Sequence, residues 1–201
     1  YDAAFARGIH VVTTGAVFCQ PVAEIGLGFA LSLARNIHGA DADFAAGQEL
    51  WGFDGNRQAR LLAGSEVGII GMGGLGQAIV QVLAGFRPNL RAYDPWQAPS
   101  VTRRHGAEPA DLDTVLARSD TIFVTAGVTS ENKGFLGAPE FARMRRGAAL
   151  ILLSRADVVD FAALVEAVAR GHIQAATDVW PVEPFPRDHP ARAVPGLLKS
   201  A

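Results

Sequence analysis

The chain has 201 residues, 49% of them hydrophobic and 19% charged, enough to bury a core as one domain, or one domain and a fragment. A formal net charge of −2 excludes a general attraction to nucleic acid or anionic membrane, and no block of like charges forms a tail. Cys19 is the one cysteine, which excludes an internal disulfide and a multi-cysteine metal centre; with no recognisable signal peptide, the expected setting is cytoplasmic.

In chain order, Tyr1–Gly8 reads as the end of a helix already under way. With no initiator methionine, and with an apolar stop at Ala201, the chain is expected to be part of a longer protein. Ile9–Thr14 has the β-branched run of a strand, and Gly15–Pro21 the punctuation of a loop. Val22–Ile37 is apolar nearly all round, which predicts a helix buried against two surfaces; it reads as too short to span a bilayer and carries Glu24 and Arg35. Gly26 and Gly28 lower its helix propensity, so another backbone is expected to approach closely there. Asp41–Arg60, polar around Trp51 and Phe53, is expected to be a partly helical connection.

The chain is organised around Glu66–Gly76. Val67, Ile69 and Ile70 form the apolar run of a central parallel strand, and Gly71, Gly73 and Gly76 keep the Gly-x-Gly-x-x-Gly spacing. The first glycine makes a tight turn, the second lets backbone approach a pyrophosphate, and the third lets the new helix pack near its strand. Phosphates then sit on free N–H groups at the positive helix end. Leu75, Ile79, Val82, Leu83 and Phe86 follow at helical spacing. A second strand, Asn89–Tyr93, delivers Asp94 about 20 residues past the turn, where a carboxylate meets the ribose diol.

Strand and helix then alternate. Asp111–Arg118 is a helix capped by Asp111 or Asp113, Thr121–Ala126 a buried strand, Pro139–Arg145 a helix stopped by Gly147, and Ala148–Leu153 an almost purely apolar strand. Phe161–Arg170 is a helix with Asp160 as N-cap and Gly171 as its stop; Ile173–Thr177 is a strand ending in Asp178, and Pro181–Pro190 a loop. This pattern predicts an α/β fold, a doubly wound parallel sheet. Ligands of such sheets bind beyond the carboxyl ends of the strands, so Gly71–Gly76, Asp94, Ala126–Gly127, Ser154–Arg155, Asp178 and Glu183 are expected to border one crevice.

Arg155 follows the most apolar strand at that end, where a guanidinium holds a carboxylate bidentately and polarises an adjacent carbonyl. Glu183, in a proline-framed loop, is placed to orient a histidine and raise its pKa. The five histidines, His10, His38, His105, His172 and His189, are poor acid/base candidates by position, and no pair has metal-ligand spacing, so no metal is expected. Ser154–Arg155 is not a nucleophile elbow, which removes a serine hydrolase.

Together these motifs resemble the D-isomer-specific 2-hydroxyacid dehydrogenases, the group that includes phosphoglycerate, glycerate, formate and phosphite dehydrogenases. The resemblance runs through Arg7-Gly-Ile-His-Val-Val12 and Val22-Ala-Glu24, the glycine signature from Val67 to Gly76, and Ala92-Tyr-Asp-Pro95. It continues in Ser154-Arg155 with Val158-Val-Asp160, Ala163-Leu164 and Gly171, and in Asp178-Val-Trp-Pro-Val-Glu-Pro184. It implies an NAD domain inserted into a smaller, flavodoxin-like substrate domain, with residues 1–18 the end of the latter and 19–201 the Rossmann domain. The helix at 22–37 would serve as the interdomain and homodimer element.

By the same resemblance Arg155 binds substrate carboxylate and carbonyl, and Glu183 pairs with a catalytic histidine just past residue 201. Gly74 and Leu75 contact pyrophosphate, Asp94 the adenosine ribose, and Asp178 the nicotinamide carboxamide, while Ala126, Leu153 and Ser154 line the cofactor cleft. Asp94 followed by Pro95 and Trp96, rather than arginine, favours NAD over NADP. The implied substrate is a 2-hydroxy or 2-keto acid. Three positions depart from the family pattern: Ala156 stands for its glycine, Leu152 for its asparagine, and Thr125-Ala-Gly-Val-Thr129 for its His/Thr-x-Pro-x-Thr. Two other readings share the fold: a non-catalytic NAD-sensing scaffold like the C-terminal-binding corepressors, and a formate or phosphite dehydrogenase.

Overall fold

The computed structural model describes residues 1–12 and 14–200; Thr13 and Ala201 lie outside the described residues. In chain order the elements are α1 (Asp2–Phe5), α2 (Gly15–Arg35), α3 (Ile37–Ala45), α4 (Gly52–Gly55), β1 (Glu66–Ile70), α5 (Gly74–Leu83), β2 (Asn89–Tyr93), α6 (Pro99–Arg104) and β3 (Glu108–Pro109). They continue with α7 (Leu112–Arg118), β4 (Thr121–Val124), α8 (Ala138–Arg143), β5 (Ala149–Leu152), α9 (Phe161–Ala169), β6 (Gln174–Thr177) and β7 (Leu197–Lys199). The strands form one parallel sheet in the order β3-β2-β1-β4-β5-β6-β7, so the winding reverses between β1 and β4.

Alternation along each strand feeds two cores. Ile122, Val124, Leu150 and Leu152 pack with Val115, Phe141 and Leu164 on the face covered by α7, α8 and α9. Val67, Ile69, Phe123 and Ile151 pack with Phe29, Leu33, Ile79 and Leu83 on the face covered by α2 and α5. Burying each of these large side chains stabilises by about 1.5–3 kcal/mol. Both faces being covered explains why the strands read as unbroken apolar runs. Asp111 and Asp160 cap α7 and α9, accepting from the N–H groups of Thr114 at 2.6 Å and Ala163 at 3.0 Å.

The first third of the chain departs from the sequence reading. Ile9–Val12 is irregular rather than a strand, the remainder of that expectation falling on Thr13 and the bend at Thr14. The expected loop Gly15–Pro21 is instead the first part of α2, which ends at Arg35, where Asn36 turns left-handed (φ 51°). Pro21 removes one N–H, leaving the carbonyl of Val17, a residue 74% exposed to solvent, without its helical donor. At 21 residues α2 is longer than the stretch read from sequence and passes as a membrane span by length and composition alone, a test that a core helix passes equally. Its Ala23, Gly26, Phe29, Ala30 and Leu33 face the core, whereas Val17, Phe18 and Ile25 are exposed. Of the two glycines only Gly26 is tightly packed, and against side chains: a Cβ there would lie 2.6 Å from Leu153 and 3.1 Å from Ile79, while Gly28 meets open space.

Candidate dinucleotide and substrate site

The glycine turn divides its labour among its three glycines. Gly71 has φ +101°, and a Cβ on it would lie 2.6 Å from the backbone of Ala126, so the end of β4 closes the turn from the other side of the switch point. A Cβ on Gly76 would lie 2.1 Å from the Gly71 carbonyl, which makes this the glycine that lets α5 start against its own strand. Gly73 meets nothing within 4 Å, and no side chain caps α5 at that residue. The first N–H groups of α5 are therefore left without a side-chain cap at a positive helix end. The Thr125 hydroxyl, buried, donates to the Gly71 carbonyl at 2.6 Å and pins the turn. Residue patterns did not single out this role; the signal was a polar β-branched residue ending a buried strand.

Asp94 leaves the end of β2 and reaches back to that turn. Its Oδ2 accepts from the Met72 N–H at 2.7 Å, and its Oδ1 accepts from the N–H groups of Trp96 and Gln97 at 2.9 and 3.1 Å. The carboxylate is thus aimed by three backbone donors at the rim of the turn.

A cavity of about 890 Å³ opens at the carboxyl ends of β5 and β6, lined by Leu75, Gly127, Leu153, Ser154, Arg155 and Asp178. Its far wall is made by the residues before and at the start of α2, among them Val12, Phe18 and Cys19. Cys19 packs close to the turn, since a Cβ on Gly74 would lie 3.0 Å from its Sγ. Arg155 is exposed, donates from Nη1 to the Ser154 carbonyl at 2.8 Å, and has no ion pair among the described residues. Two buried oxygens on the cavity, Ser154 Oγ and Asp178 Oδ1, have no hydrogen-bond partner among the described residues. Burial pushes the Asp178 carboxyl up to about 6; the nearby Glu183 charge acts the same way, and its own backbone N–H opposes both.

Glu183 lies in the neighbouring cavity of about 600 Å³, with Trp180, Phe185, Arg187, Lys199 and, again, Asp178. It accepts from the Trp180 N–H at 3.2 Å. Arg155 and Glu183 therefore border different cavities that meet at Asp178, and Ala126 faces a third with Gly71. Instead of the expected single crevice there are separate recesses, two of them sharing Asp178. Three of the five histidines are occupied structurally: His189 Nδ1 accepts from the Ala191 N–H at 3.1 Å, His172 pairs with the Phe141 carbonyl and His38 with Ser32.

A doubly wound parallel sheet with an open glycine turn at its switch point and an acid ending the next strand defines a dinucleotide-binding domain. Residues 27–200 match the family model for the D-isomer specific 2-hydroxyacid dehydrogenase, NAD binding domain, and the chain belongs to that family. It is 59% identical, with a TM-score of 0.91, to a phosphoglycerate oxidoreductase from Rhizobium etli, covering 100% of this chain and 64% of that one. It is 30% identical, with a TM-score of 0.84, to the NAD-dependent formate dehydrogenase of Staphylococcus aureus solved with NAD, covering 100% and 60%. Among curated relatives, D-3-phosphoglycerate dehydrogenase of Mycobacterium tuberculosis is 35% identical over 187 residues, 91% of this chain. The chain spans 34% of that relative's length.

NAD is the cofactor of this family's domain, and the residues present fit it. Gly73 meets nothing within 4 Å, Asp94 holds the turn from the end of β2, and the cavity at Leu75 and Leu153 carries two buried oxygens without a hydrogen-bond partner among the described residues.

Proposed function

We propose that this chain is the cofactor-binding portion of an NAD-dependent oxidoreductase that moves a hydride between nicotinamide and a 2-hydroxy or 2-keto acid. The observation that carries this reading is Arg155: its guanidinium stands at the end of β5 on the same cavity as Ser154 and Asp178, with no carboxylate of the described chain to neutralise it. Such a group holds a substrate carboxylate through paired N–H bonds and stabilises negative charge developing on the adjacent oxygen. Bound NAD supplies the hydride donor or acceptor. Asp178 Oδ1 accepts from the carboxamide of the nicotinamide, and Leu75 and Leu153 exclude water around it. Gly74 and Leu75 offer N–H groups to the pyrophosphate and Asp94 accepts from the adenosine ribose hydroxyls. Glu183, held by the Trp180 N–H, orients the acid/base histidine expected beyond residue 201 and favours its protonated form.

In the domain reading, residues 1–18 close the substrate domain and 19–201 form the NAD domain; α2 runs through that boundary as one helix. The apolar residues left exposed on and after α2, Val17, Phe18, Ile25, Phe44, Trp51 and Phe53, support a homodimer there. A second reading, oxidation of formate, is supported by the likeness to the staphylococcal formate dehydrogenase. The test is to give the full-length protein NADH with a panel of 2-keto acids, and NAD with formate and phosphite. Reduction of at least one keto acid is expected. Turnover of formate or phosphite alone selects the second reading. Tight NADH binding without any turnover would sink both and leave the scaffold.

A further inference from the structure

The Glu183 carboxylate stands on a loop that does little to hold it. Glu183 is exposed, and among the described residues its one hydrogen bond is the 3.2 Å contact from the Trp180 N–H. It forms no ion pair among them, although three cations, Arg187, Arg192 and Lys199, line the same cavity with Asp178. We propose that Arg192 is a positioning residue for Glu183: it grips the backbone just past that acid and ties it to β7, the strand that leads towards the expected acid/base histidine. This deepens, and rests on, the pairing of Glu183 with that histidine.

The grip has three links. Ala191, fully buried in the core, seats a single 3-10 turn over Pro190–Ala193, and His189 caps it. Arg192 leaves that fixed turn, and its Nε donates to the Pro186 carbonyl and its Nη2 to the Phe185 carbonyl, both at 2.7 Å. Its guanidinium carbon also lies 5.4 Å from the centroid of the Phe185 ring, which packs on Trp180 at 4.3 Å. A planar fork of donors suits two successive carbonyls, which the single ammonium of a lysine serves less well. The third link is Lys199 of β7, whose Nζ donates to the Arg192 carbonyl at 2.9 Å. Trp180 Nε1 donates to the Ser200 carbonyl at 3.0 Å. Glu183 is therefore bracketed, with Trp180 before it and Phe185 after it both fastened to the end of β7.

Arg192 and Lys199 are spent on carbonyls, so they fix the loop without neutralising the acid. A carboxylate held beside a histidine favours the imidazolium, the form that gives a proton to a keto oxygen. Loosening the loop weakens that pairing and leaves Arg155, on the other cavity, in place.

The experiment follows keto-acid reduction by the full-length protein against pH, with the best substrate of the panel. Activity falls as pH rises through the histidine pKa, and Glu183→Gln should move that fall down by about one pH unit. Arg192→Met keeps the stem and loses the donors. It should move the fall the same way by about half a unit and cut kcat about tenfold, with KM and the NADH dissociation constant within about twofold of wild type. Arg192→Lys, which keeps the charge over Phe185 and one donor, should recover most of the shift. In a Glu183→Gln background Arg192→Met should cost nothing further, because it acts through that acid. Lys199→Met releases the same grip from the other end and should shift the fall in the same direction, whether or not Arg192→Met folds. An unmoved fall in Arg192→Met or, if that variant does not fold, in Lys199→Met overturns the proposal, and so does a loss that multiplies with that of Glu183→Gln. If Glu183→Gln itself leaves the fall in place, the pairing with a histidine is wrong and the proposal goes with it.

Discussion

At the amino edge of the sheet the charges are paired: Arg91 with Glu66, whose other oxygen takes Asn89 at 2.8 Å, and Arg145 with Asp120 at 2.8 Å, while Asp120 also accepts from the Glu66 N–H. Arg60 joins them by donating to the Gly147 carbonyl, with burial lowering its pKa and Asp120 opposing that shift. At the carboxyl edge, among the described residues, Arg155 has no ion pair, Ser154 Oγ and Asp178 Oδ1 are buried without a hydrogen-bond partner, and no side chain caps α5. The amino edge is the one whose charges are paired, while Arg60 Nη2 and Ser119 Oγ there are buried without a hydrogen-bond partner among the described residues. The two edges titrate in opposite directions. The bond from Arg91, chiefly, holds Glu66 below the ordinary glutamate range, whereas burial holds Asp178 up near 6. A group left charged and unsatisfied at rest is what a ligand completes.

This contrast is broken most severely at the turn. Gly71→Ala would put a Cβ 2.6 Å from the Ala126 backbone at φ +101°, and a loss of about 3 kcal/mol or more in chemical denaturation is expected. Gly73→Ala, whose Cβ meets nothing within 4 Å, should instead melt normally yet bind NADH about 10–100-fold more weakly in calorimetry. If the two variants behave alike, the division of labour within the turn is wrong.

Asp178→Asn sharpens the electrostatic side. With its pKa raised from 3.8 to about 6, Asp178 is neutral in the folded state at pH 4 and strains the fold progressively as pH rises through that window. The variant should therefore melt about 2–4 °C above wild type at pH 7.5 and match it at pH 4 in calorimetric scans. NADH affinity of the wild type should rise as pH climbs through about 6, because the carboxylate is the better acceptor, and the variant should lose that inflection. The smallest effect belongs to the amino edge. Arg145→Ala, removing a half-exposed pair, should cost under about 1 kcal/mol in denaturation and leave NADH affinity unchanged.

The body of the domain was legible because its signals are local. Gly71 and Gly76 each have a distinct steric reason while Gly73 meets open space, and the limits of β1, β2, β4, β5 and β6 moved by at most two residues. Asp111 and Asp160 were readable as caps for the same reason. What sequence missed depends on surroundings. Pro21 looks like a loop residue, yet it lies inside α2, one turn after the exposed Val17. The two-residue strand β3 ends in Pro109, which an edge strand admits and which no periodicity reveals. The placing of Arg155, Asp178 and Glu183 beyond the carboxyl ends of β5 and β6 was readable from the strand or loop that carries each. Their distribution over adjoining cavities, with Asp178 between, came only from packing.

The central claim is that the open carboxyl edge binds a substrate carboxylate at Arg155, separately from the dinucleotide. Arg155→Gln in the full-length protein tests it through two numbers, kcat/KM for the best 2-keto acid and the dissociation constant for NADH. The account predicts a fall of about 10²–10³-fold in kcat/KM, the scale of losing a charged stabiliser of developing negative charge, with NADH affinity within about twofold of wild type. A kcat/KM close to wild type, or a parallel collapse of NADH binding, would contradict it.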